Sequence, residues 1–331
     1  MIWLTWRQFR VQALTAAAAL TLLALYLIHL GGEIRTFYDT RIAGCVAGSC
    51  LTARRDLYDS YSDTVIIVGA LLVAVPALIG IFWGAPLVTR ELEARTDRLV
   101  WSQSVTRTRW LAVKLSVIGG CSALVTGLSA LLLTWSASRY DEVIGDRFAA
   151  LSFDSRNVVP IGYGLFAFVL GAVVGVLVRR TLPAMAITLV AFTALQLLIP
   201  TVVRQHLVAP VTETITADAS VLNAGVGLSL GDDDTFRIRG YTVPGGWALE
   251  DSSPLLNPDG SAYTGKDARP CLQLGDPEAS MACTAAQNLR FEHTYQPASR
   301  YWAFQWIEFT GYVVLSVLVA GFGLFRLRRR I

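Results

Sequence analysis

The chain has 331 residues, of which 53% are hydrophobic and only 16% charged, with a mean hydropathy of +0.49. Charged residues alone make up about 25% of an ordinary soluble domain, so this composition excludes a soluble globular protein. The formal net charge of +3 hides an uneven distribution, identifies no partner by itself and gives no reason to expect nucleic acid.

A bilayer core needs roughly 20 apolar helical residues, and six segments meet that length: Val11 to Leu30, Thr64 to Val88, Leu111 to Ala137, Pro160 to Val178, Leu182 to Val203 and Trp302 to Phe325. The expected fold is therefore an all-α polytopic membrane protein with six transmembrane helices. Spans one to five occupy residues 11–203, and residues 301–331 hold the sixth span and a basic tail. Ahead of the first span, residues 1–10 place Ile2, Trp3, Trp6 and Phe9 at helical spacing opposite Thr5, Arg7 and Gln8. That pattern predicts a short helix lying in the cytoplasmic interface, with simple extension of the first span as the alternative. The first apolar run exceeds the usual signal-peptide core of about 7 to 15 residues, and HLGGEIR offers no A-x-A-like cleavage site, so the span is expected to be retained.

The first connection carries Cys45 and Cys50, and the last carries Cys271 and Cys283. Two local pairs on one face predict two disulfides in an oxidising compartment; neither pair has the tight spacing of a zinc site, and Cys121, alone in the third span, reads as a packing residue. Pro76 and Pro86 interrupt the second span, while Pro183 and Pro200 bracket the fifth. Such prolines set kinks or hinges. Gly171 and Gly175 in the fourth span form GAVVG, a small-xxx-small face that lets another helix come close, within the chain or in a dimer.

The loop of residues 89–110, TRELEARTDRLVWSQSVTRTRW, is charged and helix-prone. Glu91 and Arg95 stand four apart with the acid first, Leu92, Leu99 and Val100 supply an apolar side, and Thr106 is placed to cap the third span. Arg107, Arg109 and Lys114 are expected to anchor that span at the headgroups. The loop reads as a docking element joined to two spans.

Residues 204–300 form the one connection large enough to fold outside the membrane. Its Gly, Pro, Asp and Thr clusters, a short strand expected at Phe236 to Thr242 and a Cys271–Cys283 staple predict a small, loop-rich cap that leans on the spans or on a second protomer. Within it, Gly260 to Lys266 (GSAYTGK) mimics a phosphate loop, but Asp267 replaces the magnesium-binding hydroxyl and Pro270 interrupts the following helix. No nucleotide site is expected in this chain. His29, His206 and His293 have no nucleophile at a recognisable spacing, so no catalytic residue and no metal site are expected either. Glu308 is the one acid found inside a span. Intramembrane carboxylates are costly and usually functional, yet the adjoining Trp302, Phe304 and Trp306 favour a snorkelling interfacial carboxylate over a substrate- or dimer-facing one.

Orientation follows the basic residues of short loops. Arg7, Arg10, Arg90, Arg95, Arg98, Arg107, Arg109, Lys114, Arg179, Arg180 and the tail arginines Arg326, Arg328, Arg329 and Arg330 all fall on one face, with only Glu91, Glu93 and Asp97 as acids. Both termini are expected in the cytoplasm, with residues 204–300 outside.

MIWLTWRQFR at the start, FWGAPLVTRELEARTDRLVWSQSVTRTRWLAVKL at 82–115 and six spans with a short fourth and a long fifth connection together resemble the permease subunits of type-2 ABC exporters. The resemblance extends especially to high-GC actinobacterial members; 26 arginines among 28 basic residues agree with such a source. The resemblance implies that Glu91 to Leu99 forms the main coupling helix, with Arg90, Glu91, Leu92, Glu93, Arg95, Arg98 and Leu99 meeting a cytoplasmic ATP-binding subunit. It implies a second contact at Arg179 to Leu182, including Arg180, and two permease copies, as a homodimer, around the path. ATP and magnesium would be bound by two copies of the partner, and this chain would hold no cofactor. The expected function is ATP-driven export of an amphipathic or lipophilic substrate (drug, antibiotic, lipid or peptide) across the bacterial plasma membrane. The alternative is a membrane-anchored sensory protein whose outer domain recognises a ligand.

Overall fold

The computed structural model describes residues 2–45, 47–93, 106–222, 226–272 and 276–329. The chain divides into two compact units, Met1–Arg204 with Trp302–Ile331, and Gln205–Tyr301.

The first unit is helical. Helix α1 (Ile2–Phe37) passes into a π-helical turn, Tyr38–Ile42. Next come α2 (Ala47–Ile79), a second π turn at Gly80–Gly84, α3 (Pro86–Glu93) and α4 (Arg107–Ser136). Two short helices follow, α5 (Ser138–Ile144) and α6 (Ala150–Ser155), then the hairpin of α7 (Val159–Val178) and α8 (Thr181–Leu198) and a π turn at Ile199–Val203. Among the described residues, six helical stretches are long and apolar enough to cross a membrane: Phe9–Ile42, Cys50–Glu91, Thr108–Ser136, Val159–Val178, Thr181–His206 and Ala298–Leu327.

The expected interfacial helix over residues 1–10 is instead the start of α1, which is unbroken for 36 residues. At 1.5 Å per residue it is about 54 Å long, well beyond a hydrocarbon core of about 30 Å. Phe9 holds its first turns down, buried edge-on against Trp83 with ring centroids 4.8 Å apart, while Trp3 and Trp6 stay exposed. Thr106 caps α4, its hydroxyl accepting the Arg109 N–H at 3.4 Å.

Helix α7 is the pillar of the unit, buried along most of its length. A Cβ at Gly171 would overlap the Gly80 carbonyl oxygen, and one at Gly175 would lie 2.7 Å from the Ala85 carbonyl oxygen. The GAVVG face is therefore used inside this chain, where it seats the π turn that follows Pro76. Around the pillar, Phe9, Ile79, Val88, Trp110, Leu111 and Phe168 form one core, and Leu27, Ile34, Leu57, Val68, Leu133 and Tyr140 another. Leu14, Leu22, Leu71, Val190, Val317 and Leu318 point outward and exposed, the inverse of a water-soluble surface and the arrangement a lipid solvent favours.

The second unit is not all-α. It carries β1 (Val211–Thr216), α9 (Ala219–Leu222), β2 (Gly227–Leu230), β3 (Phe236–Arg239), β4 (Trp247–Ala248), β5 (Ser252–Pro254), α10 (Gly265–Leu272), α11 (Pro277–Ala285) and β6 (Arg290–Gln296). The strands form two three-stranded sheets, ordered β1-β6-β4 and β2-β3-β5, all antiparallel, with Val211 opposite Tyr295 and Leu228 opposite Ile238. Ile238, Leu255, Tyr263, Leu289 and Phe291 give this unit a core of its own, where the sequence suggested borrowed packing. The expected strand at Phe236 is present but stops at Arg239, because Gly240 takes a φ of +76°. The last helix of the chain, α12 (Tyr301–Arg329), begins at the border of the two units.

Disulfides join Cys45 to Cys50 and Cys271 to Cys283, the latter tying α10 to α11 with Cα atoms 5.4 Å apart. Cys121 is a free thiol.

Candidate functional site

Helix α3 continues from the second span and meets the turn between α7 and α8. That turn has only two residues. Arg179 takes a left-handed φ of +60° and closes α7, and Arg180 is extended. Thr181 then starts α8 with an unsatisfied N–H, as any helix start does, and Glu93 supplies the acceptor. Its two carboxylate oxygens accept the Thr181 N–H and the Thr181 hydroxyl, each at 2.8 Å. The backbone N–H, then the hydroxyl, holds the Glu93 carboxyl below the usual carboxylate range, and a carboxylate at a helix N-terminus also complements the helix dipole. One turn earlier, the Thr89 hydroxyl lies 2.8 Å from that of Thr181 and donates to the Ala85 carbonyl oxygen at 3.0 Å.

Glu91 has a partner on another helix. Its carboxylate pairs with Lys114 of α4, and the Lys114 ammonium also sits 4.5 Å from the centre of the Trp110 ring. Lys114 is thus buried and paired instead of anchoring headgroups, held by Glu91 and covered by Trp110. Arg90, Glu93, Arg179 and Arg180 are exposed and share this end of the bundle. Arg95, Arg98 and Leu99 lie outside the described residues, and Leu92 falls within α3.

The second notable group of side chains sits deep in the same unit. Glu308 of α12 does not snorkel: its side chain is 2% exposed and bonds to Arg204, just past α8. The guanidinium grips it with two parallel bonds, Nε to Oε2 at 2.9 Å and Nη2 to Oε1 at 3.0 Å, the bidentate geometry that suits arginine. The same Nη2 bonds Asp154 of α6, and the guanidinium carbon stacks 4.0 Å over the Phe153 ring. Tyr163 of α7 places its hydroxyl against both Asp154 Oδ1, at 3.1 Å, and Glu308 Oε1. Gln305, one turn before Glu308, accepts the N–H groups of Val158 and Val159 at 3.3 and 3.2 Å and donates to the Phe153 carbonyl at 3.1 Å. It caps α7 from another helix and fixes α6 beside it. Sequence reasoning found Glu308 but missed Arg204, Asp154 and Tyr163; an arginine directly after an apolar run was the available signal.

The remaining sequence candidate, Gly260 to Lys266, is a turn feeding α10: Leu256 bridges Ala262, and the Asp267 carboxylate accepts the Thr264 N–H at 2.9 Å and hydroxyl at 2.8 Å.

A family model described as ABC-2 membrane transporter related matches residues 17–204, more than half of the chain. The chain belongs to the ABC-2 membrane transporter related family. The match to this ABC-2 permease family takes in five of the six candidate spans, both segments joined by Glu93, and Arg204 with Asp154 and Tyr163; it stops short of Glu308. No curated protein and no solved structure gives a significant match. As an ABC-2 family member the chain is a multi-pass membrane subunit of a transporter, in a class whose ATP is bound by a partner subunit.

Proposed function

We propose that this chain is the permease half of an ATP-driven exporter in a bacterial plasma membrane, moving an amphipathic or lipophilic substrate outward. In this reading both termini are cytoplasmic, residues 204–300 face outward, and the basic end of the bundle meets a cytoplasmic ABC ATPase. Two permease copies, as a homodimer, enclose the path and two ATPase copies bind ATP and magnesium. The permease holds no cofactor.

The Glu93 clamp on Thr181 carries the reading. It fuses the segment after span two to the turn after span four, so a push delivered to either is felt by α2, α3, α7 and α8 together. Arg90, Arg179 and Arg180 stand exposed around the clamp and present positive charge to a partner, while Glu91 and Lys114 neutralise each other beneath it. Charge at such a rim steers association and sets its salt dependence.

Charge reversal tests the proposal. Arg179→Glu with Arg180→Glu should insert and form both disulfides as the unmodified chain does, yet copurify poorly with a co-expressed ABC ATPase and lose substrate-stimulated ATP hydrolysis. Full copurification and stimulation in that variant would place the docking element elsewhere.

A further inference from the structure

The ionic cluster around Arg204 does not balance. The titratable groups that meet there are Asp154 from α6, Tyr163 from α7, Arg204 beyond α8, and Glu308 and Tyr312 from α12. One guanidinium faces two carboxylates, and all three residues are at least 94% buried by side chain. With both acids ionised, the cluster would leave one negative charge uncompensated in a low-dielectric interior, which costs several kcal/mol.

The hydrogen count points the same way. The Tyr163 hydroxyl has one proton, yet its oxygen lies within hydrogen-bond distance of Asp154 Oδ1 and of Glu308 Oε1. The phenol can donate to only one of them. The other contact is a bond only if that carboxyl carries a proton and donates it to the phenol oxygen. Glu308 is already satisfied as an anion, through the two-pronged grip of Arg204. Asp154 has one oxygen on Arg204 and Tyr163 and the other on Gln196 at 3.5 Å, a long contact. Asp154 is therefore the acid that takes the proton. Burial pushes its carboxyl up to about 6, against the lowering pull of Arg204. The Tyr312 hydroxyl is buried, packs its ring 4.6 Å from that of Tyr163 and makes no hydrogen bond among the described residues.

We propose that Asp154, set between Arg204, Tyr163 and Glu308, is an exchangeable proton site of this permease. In the closed packing around Arg204 the Asp154 carboxyl keeps a proton taken up from water and uses it in a hydrogen bond to the Tyr163 oxygen, while Tyr163 directs its own proton to Glu308. Loss of that proton to water leaves both acids ionised on one guanidinium, so the two forms of the cluster differ by one bound proton. The site belongs to the membrane unit itself and holds whether or not an ATPase docks at the opposite cluster.

Infrared spectroscopy of the full chain in nanodiscs, with aspartate labelled with ¹³C at the side-chain carboxyl, tests this directly. A protonated-carboxyl stretch shifted by the label should be present at about pH 5 and vanish by about pH 8. It should be missing from Asp154→Asn and retained in Asp141→Asn, which alters the separate buried pair with Arg156. Asp154→Asn mimics the protonated acid, so its monodispersity and thermal midpoint should stay near those of the unmodified chain, whereas Glu308→Gln should lower the midpoint by breaking the Arg204 grip. A chain whose labelled aspartates show no protonated-carboxyl band across this pH range overturns the proposal without recourse to any variant. A band that survives Asp154→Asn, or a Glu308→Gln variant as stable as the parent beside a collapsed Asp154→Asn, overturns it as well.

Discussion

Two of the buried ion clusters in the membrane unit differ in their charge count. At the α3 end, among the described residues, one acid, Glu91, meets one cation, Lys114, with the ammonium further covered by Trp110. Around Arg204, one cation serves two acids drawn from helices 50 and 104 residues away in sequence. A matched pair can be buried with little consequence beyond fixing α3 against α4. An unmatched trio makes its own protonation part of the structure, and it binds α6, the α8 end and α12 through a single side chain. The first cluster lies beside the exposed Arg90; the second lies in the buried interior.

Removing the shared cation should have the largest effect. Arg204→Met leaves two carboxylates buried without a cation, and breaking a buried ion pair in this way costs about 3–5 kcal/mol. The expected outcome is a polydisperse protein with a strongly lowered thermal midpoint, partly restored when Asp154→Asn and Glu308→Gln are added. An equally stable Arg204→Met would show that the trio contributes no net stability and would dissolve the contrast drawn above.

The next effect belongs to the second unit. Replacing Cys271 and Cys283 by Ser removes a staple across a short loop, worth about 2–3 kcal/mol in the chain-entropy account. Faster proteolysis of residues 205–301 should follow, with the spans unaffected.

The α7 contact is a smaller test. At Gly171 a methyl group would meet the Gly80 carbonyl, so Gly171→Ala should cost about 1–3 kcal/mol, as overpacking of a close-packed site does, and should displace the π turn that leads into α3. A neutral result would mean that α7 and the π turn can separate freely.

Glu93 gives the smallest stability effect and the most specific pH signature. Its carboxyl is held low by Thr181, so its contribution is present above the ordinary carboxylate range and is lost as pH falls through its lowered value. Glu93→Gln should therefore lower the thermal midpoint slightly at neutral pH and match the parent in acid, which flattens the decline between the two. An unaltered acid profile would mean that the clamp carries no charge-dependent strength.

What the sequence shows and what it hides follow the same division. The spans were legible because an apolar run long enough to cross a bilayer has few other readings, and their cores fall where expected. Both disulfides were legible because each pair is local. The polar part of α2, residues 47–63, was not, because CLTARRDLYDSYSD lacks an apolar stripe and its helix is set by packing of Ala53 and Leu57. The strand β6 offered a weak signal, Phe291, His293 and Tyr295 alternating inward, that its polar neighbours obscured. Arg204 was read as the first residue of a soluble segment because its partners lie far away in sequence and only the folded helices bring them to it. Glu91 has an ion-pair partner on α4, Lys114, that no local spacing could show; Arg95 lies outside the described residues.

The central claim is that α3 and the Arg179–Arg180 turn form one docking surface for an ABC ATPase, and site-specific crosslinking tests it most directly. A photoreactive residue placed at Arg90 or at Arg180 in the full-length permease, co-expressed with its candidate ATPase, should give an adduct containing the ATP-binding chain at both positions. The same probe at Leu25, which faces lipid in this account, should give none. Adducts from Leu25 but not from Arg90 or Arg180, in a permease that inserts and forms both disulfides, would contradict the account.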